Sequence, residues 1–166
     1  TPFSTNATIC SYPTTLRDNP ESIETSFAEL DRIAAETNMG LAIDIPTAVG
    51  FCMYIRRDCL KQVGLFDAEA FGKGYGEEND FCLRAAKLGW RNVLAADVFV
   101  RHTGEVSFAG KAEESQNFAQ KALLARHPEY NALVREHIRS DPAAPARRRL
   151  DAARLKAHSG GPSVLH

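Results

Sequence analysis

Apolar residues in the first quarter of the chain recur at helical spacing. Ile23, Phe27, Leu30 and Ile33 follow one another three or four positions apart, and Asn19 with Pro20 and Glu21 makes a helix start. The spacing predicts an amphipathic helix that stops where Asn38 and Gly40 break the pattern. Two short strands are expected next, Leu41–Ile45 and Val49–Ile55 around Pro46, the second a near-continuous apolar run suited to a central position covered on both faces. Asp58–Val63 reads as a helical turn ended by Gly64. Glu77–Leu88 places Phe81, Ala85 and Leu88 on one helical face and stops at Gly89. Arg91–Ala95 and Val98–His102 read as strands, and Glu113–Arg126 and Pro128–Arg139 as two further helices. Strand and helix periodicities alternate, which is the pattern of an α/β fold.

From residue 140 the character changes. Residues 1–139 hold 15 basic and 19 acidic side chains, whereas 140–166 hold 5 and 2. Asp141, Pro142, Ala143, Ala144, Pro145 and Ala146 lead into Arg147, Arg148 and Arg149, and Ser159, Gly160, Gly161 and Pro162 follow. That is the composition of a basic linker or tail around one short helix, with a solvated face or tether as the plain reading of the arginine run.

A chain of 166 residues, 44% hydrophobic and 25% charged, is enough for one core. The net charge of -1 supplies no global positive field, so nucleic acid is not an expected partner. The longest uncharged apolar stretch, Ile45–Ile55, is interrupted by Pro46, Thr47 and Gly50 and falls far short of the roughly 20 residues that span a bilayer. Neither a transmembrane segment nor a signal-peptide layout in Thr1–Pro20 is therefore expected. Cys10, Cys52, Cys59 and Cys82 form no C-x-x-C pair. Cys52 and Cys82 read as buried small hydrophobes and Cys59 lies on a helical pattern, which favours reduced thiols over a disulfide framework, though one pair stays open.

The densest polar cluster runs Gly72, Lys73, Gly74, Tyr75, Gly76, Glu77, Glu78, Asn79, Asp80. One reading is helix chemistry, since carboxylates in a first turn complement the macrodipole and the unpaired backbone N–H groups. The other is functional, because glycines so closely spaced serve unusual dihedrals or the close approach of a ligand. Adjacent carboxylates at a helix start point different ways, so Glu77 and Glu78 can divide the labour: one accepts a proton from an attacking hydroxyl and the other holds that hydroxyl. Their mutual repulsion would raise one proton affinity. His102 closes a strand before Thr103 and Gly104, a position more often held by a hydrogen-bonded structural histidine than by a ligand, although a strand end opening into a loop is also where α/β sites lie. Trp90 reads most simply as core.

In combination, these motifs resemble the C-terminal half of bacterial family 2 glycosyltransferases, which have the GT-A fold. The stretches that carry the resemblance are G-x-C-M-x-I-R-R from Gly50, V-G-x-F-D from Val63, G-Y-G-E-E-N-D-F from Gly74, Gly89 with Trp90 and Arg91, and a strand ending in His102 before G-x-x-S-F. The similarity covers roughly Thr1–Phe108. It implies a partial GT-A-type α/β fold, a mixed sheet with flanking helices, that lacks the N-terminal nucleotide-binding half. Residues 1–139 would be the C-terminal part of the catalytic domain and 140–166 its tail.

The resemblance also implies roles. Glu78 would be the catalytic base, Glu77 the partner of the acceptor hydroxyl, and Asp80 a supporting residue; relatives often carry Asp at the position of Glu78. Gly74, Gly76, Val49 and Gly50 would line the sugar pocket, and Tyr75 and Trp90 could stack on a sugar ring. His102 falls where many relatives place a metal ligand or a diphosphate contact. The implied reaction is an inverting displacement on a nucleotide-activated sugar by an acceptor hydroxyl, with Mn2+ or Mg2+ stabilising the departing diphosphate. Its partners would be a nucleotide-sugar donor and a carbohydrate-type acceptor in bacterial polysaccharide biosynthesis, in the cytoplasm or at the inner face of the membrane through other parts of a longer parent. Without a βαβ half and its Asp-x-Asp motif, the chain is expected to be a fragment inactive by itself, with the cation needed only in the full-length enzyme. A non-catalytic module that binds a glycan or a partner domain is the alternative. A two-carboxylate hydrolase ranks last, because neighbours on one helix turn cannot easily flank a glycosidic bond.

Overall fold

The computed structural model describes residues 1–6, 8–19, 23–71, 76–102 and 112–159. Among them the elements run β1 (Pro2–Ser4), α1 (Phe27–Thr37), β2 (Ala42–Asp44), α2 (Arg57–Val63), α3 (Ala68–Phe71), α4 (Glu77–Lys87), β3 (Val93–Val100), α5 (Ala112–Arg126), α6 (Tyr130–Ser140) and α7 (Ala144–Ser159). The architecture is mixed α/β. The chain divides into two units, one made of Thr1, Asp44–Val93 and Gly104–Ser140, the other of Pro2–Ile43, Leu94–Thr103 and Asp141–His166.

The second unit carries the sheet, apart from the terminal residues Asp44 and Val93. Its strand order is β1-β3-β2, with β1 parallel to β3 and a register shift between Pro2 and Phe3. Leu41 bonds to Ala96 in this unit while, in the other, Ile45 bonds to Asn92, so β2 runs against β3 and the sheet is mixed. The two strands expected at 91–95 and 98–102 are one continuous strand, β3. Helix α1 begins at Phe27, where the Ser26 hydroxyl accepts the Glu29 N–H at 3.1 Å and satisfies an orphan donor; the start expected at Pro20 and Glu21 lies outside the described residues. Its face of Leu30, Ile33 and Ala34 is buried, and Asn38 caps its end. Phe3, Tyr12 and Phe99 form an aromatic core in which Tyr12 meets Phe99 edge-on at 6.1 Å, and Phe27 stacks on Phe99 at 5.9 Å.

Residues 144–159 do not behave as the expected tail. Helix α7 buries Ala146, Arg147 and Leu150 and packs on α1. The buried Asn38 side chain donates to the carbonyls of Ala96 (3.2 Å) and Ala146 (3.3 Å) and accepts from Arg149 Nε (3.1 Å). Tyr12 donates its hydroxyl to Asp151 at 2.7 Å, and Arg154 pairs with Glu24 at 2.7 Å. Burial of an apolar strip and of polar groups that find partners outweighs the linker-like composition.

In the first unit, one core joins Phe71, Leu83, Ala119 and Leu123, and another joins Cys59, Phe81 and Ala85. The strand expected at Val49–Ile55 does not form. Its residues alternate between partial burial and exposure but pair with no strand among the described residues, and Met53 and Ile55 pack on the Cys59–Phe81–Ala85 cluster. Cys52, expected to be buried, is exposed, whereas Cys10, Cys59 and Cys82 are buried and all four thiols are free. Among the described residues, no helix is long and apolar enough to cross a membrane.

Candidate functional site

Helix α4 starts from a glycine. Gly76 takes φ +85 at the N-cap, where it supplies no side-chain cap, and the following Glu77, Glu78 and Asp80 crowd the positive end of the helix dipole while Arg84 and Lys87 occupy its last turn. The three carboxylates then meet different fates. Those fates depend on what each side chain faces.

Glu78 is half-buried, and burial pushes its carboxyl above the usual glutamate range; backbone N–H groups at Gly76, Glu78 and Asn79 oppose that rise, and the charge of Glu77 adds to it. The loop 45–50 lies against it. A Cβ built on Gly50 would stand 3.5 Å from Glu78 Cγ, an ordinary van der Waals contact, so position 50 faces the Glu78 side chain and the glycine leaves the space of one methyl group open beside it. Glu77 has one buried carboxylate oxygen, Oε2, with no hydrogen-bond partner among the described residues. A buried acceptor lacking its donor is a rare condition that a bound hydroxyl would relieve.

The loop itself is tied down. Asn92 Nδ2 donates to the carbonyls of Pro46 (3.0 Å) and Cys82 (3.1 Å), and the Ala48 N–H donates to Cys82 Sγ at 3.3 Å. Thr47 in this loop is buried, and Tyr130, from the start of α6, lies near it; burial pushes the Tyr130 phenol up, and the nearby Glu78 carboxylate acts in the same direction. Asn92 and Tyr130 were invisible as site residues in the sequence. Each acts on a loop more than 40 positions away, and no local spacing marks such a partner.

Asp80 does not join its neighbours. Its side chain is fully buried and bonded to Arg84 Nε (2.8 Å), His127 Nε2 (2.9 Å) and, more loosely, Arg126 (3.5 Å). Lys87 Nζ reaches His127 Nδ1 at 3.0 Å, which makes that nitrogen the acceptor and places the ring proton on Nε2, facing Asp80. Arg84 also donates to the carbonyls of Val63 and Leu65, and Arg126 to Asp67. Asp80 thus anchors α4 to the α5–α6 corner instead of supporting a substrate, a correction to its expected place. Trp90 is likewise occupied: its Nε1 donates to Gln62 at 2.8 Å, Arg56 lies 5.3 Å over its ring, and it packs on the Cys59–Phe81–Ala85 cluster. An open cleft of about 550 Å3 in the same unit is lined by Leu65, Phe66, Asp67, Arg84 and Arg126 and by none of the expected site residues.

Gly50 therefore faces Glu78, with Val49 next to it in the same loop, while Gly74 and Tyr75 lie outside the described residues, as does the stretch Thr103–Phe108 after His102. His102 belongs to the other unit, where its backbone N–H and carbonyl both bond to Thr5 Oγ1 (3.0 and 2.8 Å). Burial lowers its imidazole below the usual histidine value, with the charge of Asp18 acting against that. Among the described residues, no three His, Cys, Asp or Glu side chains gather as a metal would require, so His102 by itself does not make a cation site.

Comparison with known proteins gives one match. A family model described as glycosyltransferase-like family 2 matches residues 22–122, a span that contains α1 to α4, β3 and most of α5. No curated protein matches, and no solved structure does.

Proposed function

Because the chain belongs to the glycosyltransferase-like family 2, we propose that its α4 N-terminus provides the acceptor-side carboxylates of a glycosyl transfer from a nucleotide-activated sugar. The reading is supported above all by the pair Glu77 and Glu78: one carboxylate with a buried oxygen lacking a donor, the other with raised proton affinity beside the Gly50 backbone. An acceptor hydroxyl donates its hydrogen bond to Glu77 and loses its proton to Glu78. Its oxygen attacks the anomeric carbon as the bond from that carbon to the diphosphate oxygen breaks, and the diphosphate leaves with the electron pair. Attack from the opposite face inverts the anomeric centre. A raised carboxyl is the better proton acceptor as long as it is ionised at the working pH, which favours this role over a purely binding one.

A divalent cation, where the full enzyme binds one, would supply charge neutralisation on the departing diphosphate. The described residues of this chain do not assemble a site for it, and His102 is the candidate contact to examine.

The test is transfer from a panel of nucleotide sugars by the protein. Glu78→Gln should lower turnover by about 10²- to 10⁴-fold with acceptor affinity largely retained. Undiminished turnover would sink the assignment.

A further inference from the structure

The gap at the candidate base is set from outside the helix that carries it. Asn92 stands just before β3, and both protons of its carboxamide are used: one holds the Pro46 carbonyl in the loop, the other the Cys82 carbonyl in α4. Its own backbone carbonyl accepts the Ile45 N–H at 3.0 Å. A second tie, the Ala48 N–H to Cys82 Sγ at 3.3 Å, closes the same loop onto the same turn of α4. Two residues after Ala48 comes Gly50, which faces the Glu78 side chain so closely that a Cβ there would stand 3.5 Å from Glu78 Cγ.

We infer that Asn92 is a positioning residue: by clipping the 45–50 loop to α4 it fixes the separation of the Gly50 backbone from Glu78 and so the space through which an acceptor hydroxyl reaches that carboxylate. The assignment rests on Glu78 as the base, but the clip itself is measurable without any reaction. A side-chain amide with two donors is suited to this task, since it bridges two carbonyls that would otherwise repel or sit apart. The groups facing Glu78 are Glu77 on its own helix, Cys82 one turn further along and Tyr130 from α6. None of them is altered by a change at Asn92. A shift in the titration of Glu78 would therefore report the movement of the loop that shields it.

The experiment uses the full chain, labelled for carbon-detected NMR titration of the side-chain carboxyls, with the Glu78 signal identified by its loss in Glu78→Gln. Asn92→Ala should move the Glu78 midpoint down towards the ordinary glutamate value as water enters the gap, and should speed amide exchange of Ala48 by about tenfold or more, the loss expected for roughly two hydrogen bonds. Asn92→Leu, which keeps the size of the side chain but removes both donors and leaves every group facing Glu78 in place, should move both readouts in the same direction and decides the matter if Asn92→Ala does not fold. A folded variant with Glu78 titration and Ala48 exchange unchanged overturns the inference. If instead the clip behaves as described while Glu78→Gln retains full turnover, the positioning geometry stands and the base assignment fails.

Discussion

Replacing Gly76 by alanine separates two costs that a glycine at a helix start can hide. At φ +85, an L-residue sits in the left-handed region, which costs about 1–2 kcal/mol, partly offset by the ~0.4–1 kcal/mol gained from a stiffer unfolded chain. The new Cβ would stand 3.1 Å from Phe71 Cδ1 and 3.4 Å from Ala119 Cβ, two members of a packed core cluster. Overpacking of that kind adds about 1–3 kcal/mol. Gly89 provides the internal control, because its φ of +86 is almost the same and a Cβ there meets nothing within 4 Å. Gly89→Ala should therefore lose ~1 kcal/mol and Gly76→Ala about 3 kcal/mol. At ~2–4 °C per kcal/mol for a chain of this size, the expected falls in Tm are about 3 °C and about 9 °C. Scanning calorimetry on the two variants measures both, and the difference between them is the packing term. Equal losses would refute the claim that Gly76 is required by Phe71 and Ala119 as well as by its dihedral. Because Glu77 and Glu78 follow it directly, Gly76→Ala should also disturb the titration of Glu78.

Two further changes probe the rest of the molecule. Asp80 is held below the usual aspartate range: burial alone would raise it, and the bonds from His127 and Arg84 overcome that. Since its folded pKa is depressed, its stabilisation is complete above pH ~4 and is lost as pH falls through the folded value. Asp80→Asn should cost about 3 kcal/mol at pH 7 and progressively less as the pH is lowered below ~4, measured by urea unfolding; a loss of unchanged size down to the acid limit of folding would contradict the ion-pair account. Leu150→Ala should cost about 2–5 kcal/mol by the same measurement, because its side chain is fully buried. A negligible effect would return residues 144–159 to the status of a tether.

What the sequence makes legible follows the range of the forces involved. Helices α1 and α4 are set by local spacing and by Asn38, Gly76 and Gly89, all within one or two turns, and both are readable from the pattern. Val49–Ile55 is apolar enough to look like a central strand, yet its side chains serve a helix-side cluster and its backbone meets no partner strand. Apolar runs report a need for burial, not for pairing. Helix α7 is obscured because its contact strip is largely alanine and its first turn contains Pro145, a residue that helix starts tolerate and linkers share. At the site, the adjacency of Glu77 and Glu78 is visible at once. That Asp80, in the same turn, is committed to Arg84, Arg126 and His127 is not, since two of these partners lie 46 and 47 positions further on.

The unit that holds the sheet is assembled from three stretches far apart in the chain, the last of which starts at Asp141. On a ribosome that adds about 5–20 residues each second, Leu30, Ile33 and Ala34 of α1 would emerge well before α7, the helix that packs on α1. During that interval Asn38 has no Ala146 carbonyl to hold and Tyr12 has no Asp151. Nascent chains paused before residue 141 would expose this apolar surface to chaperones, and those extended beyond Leu150 would release them.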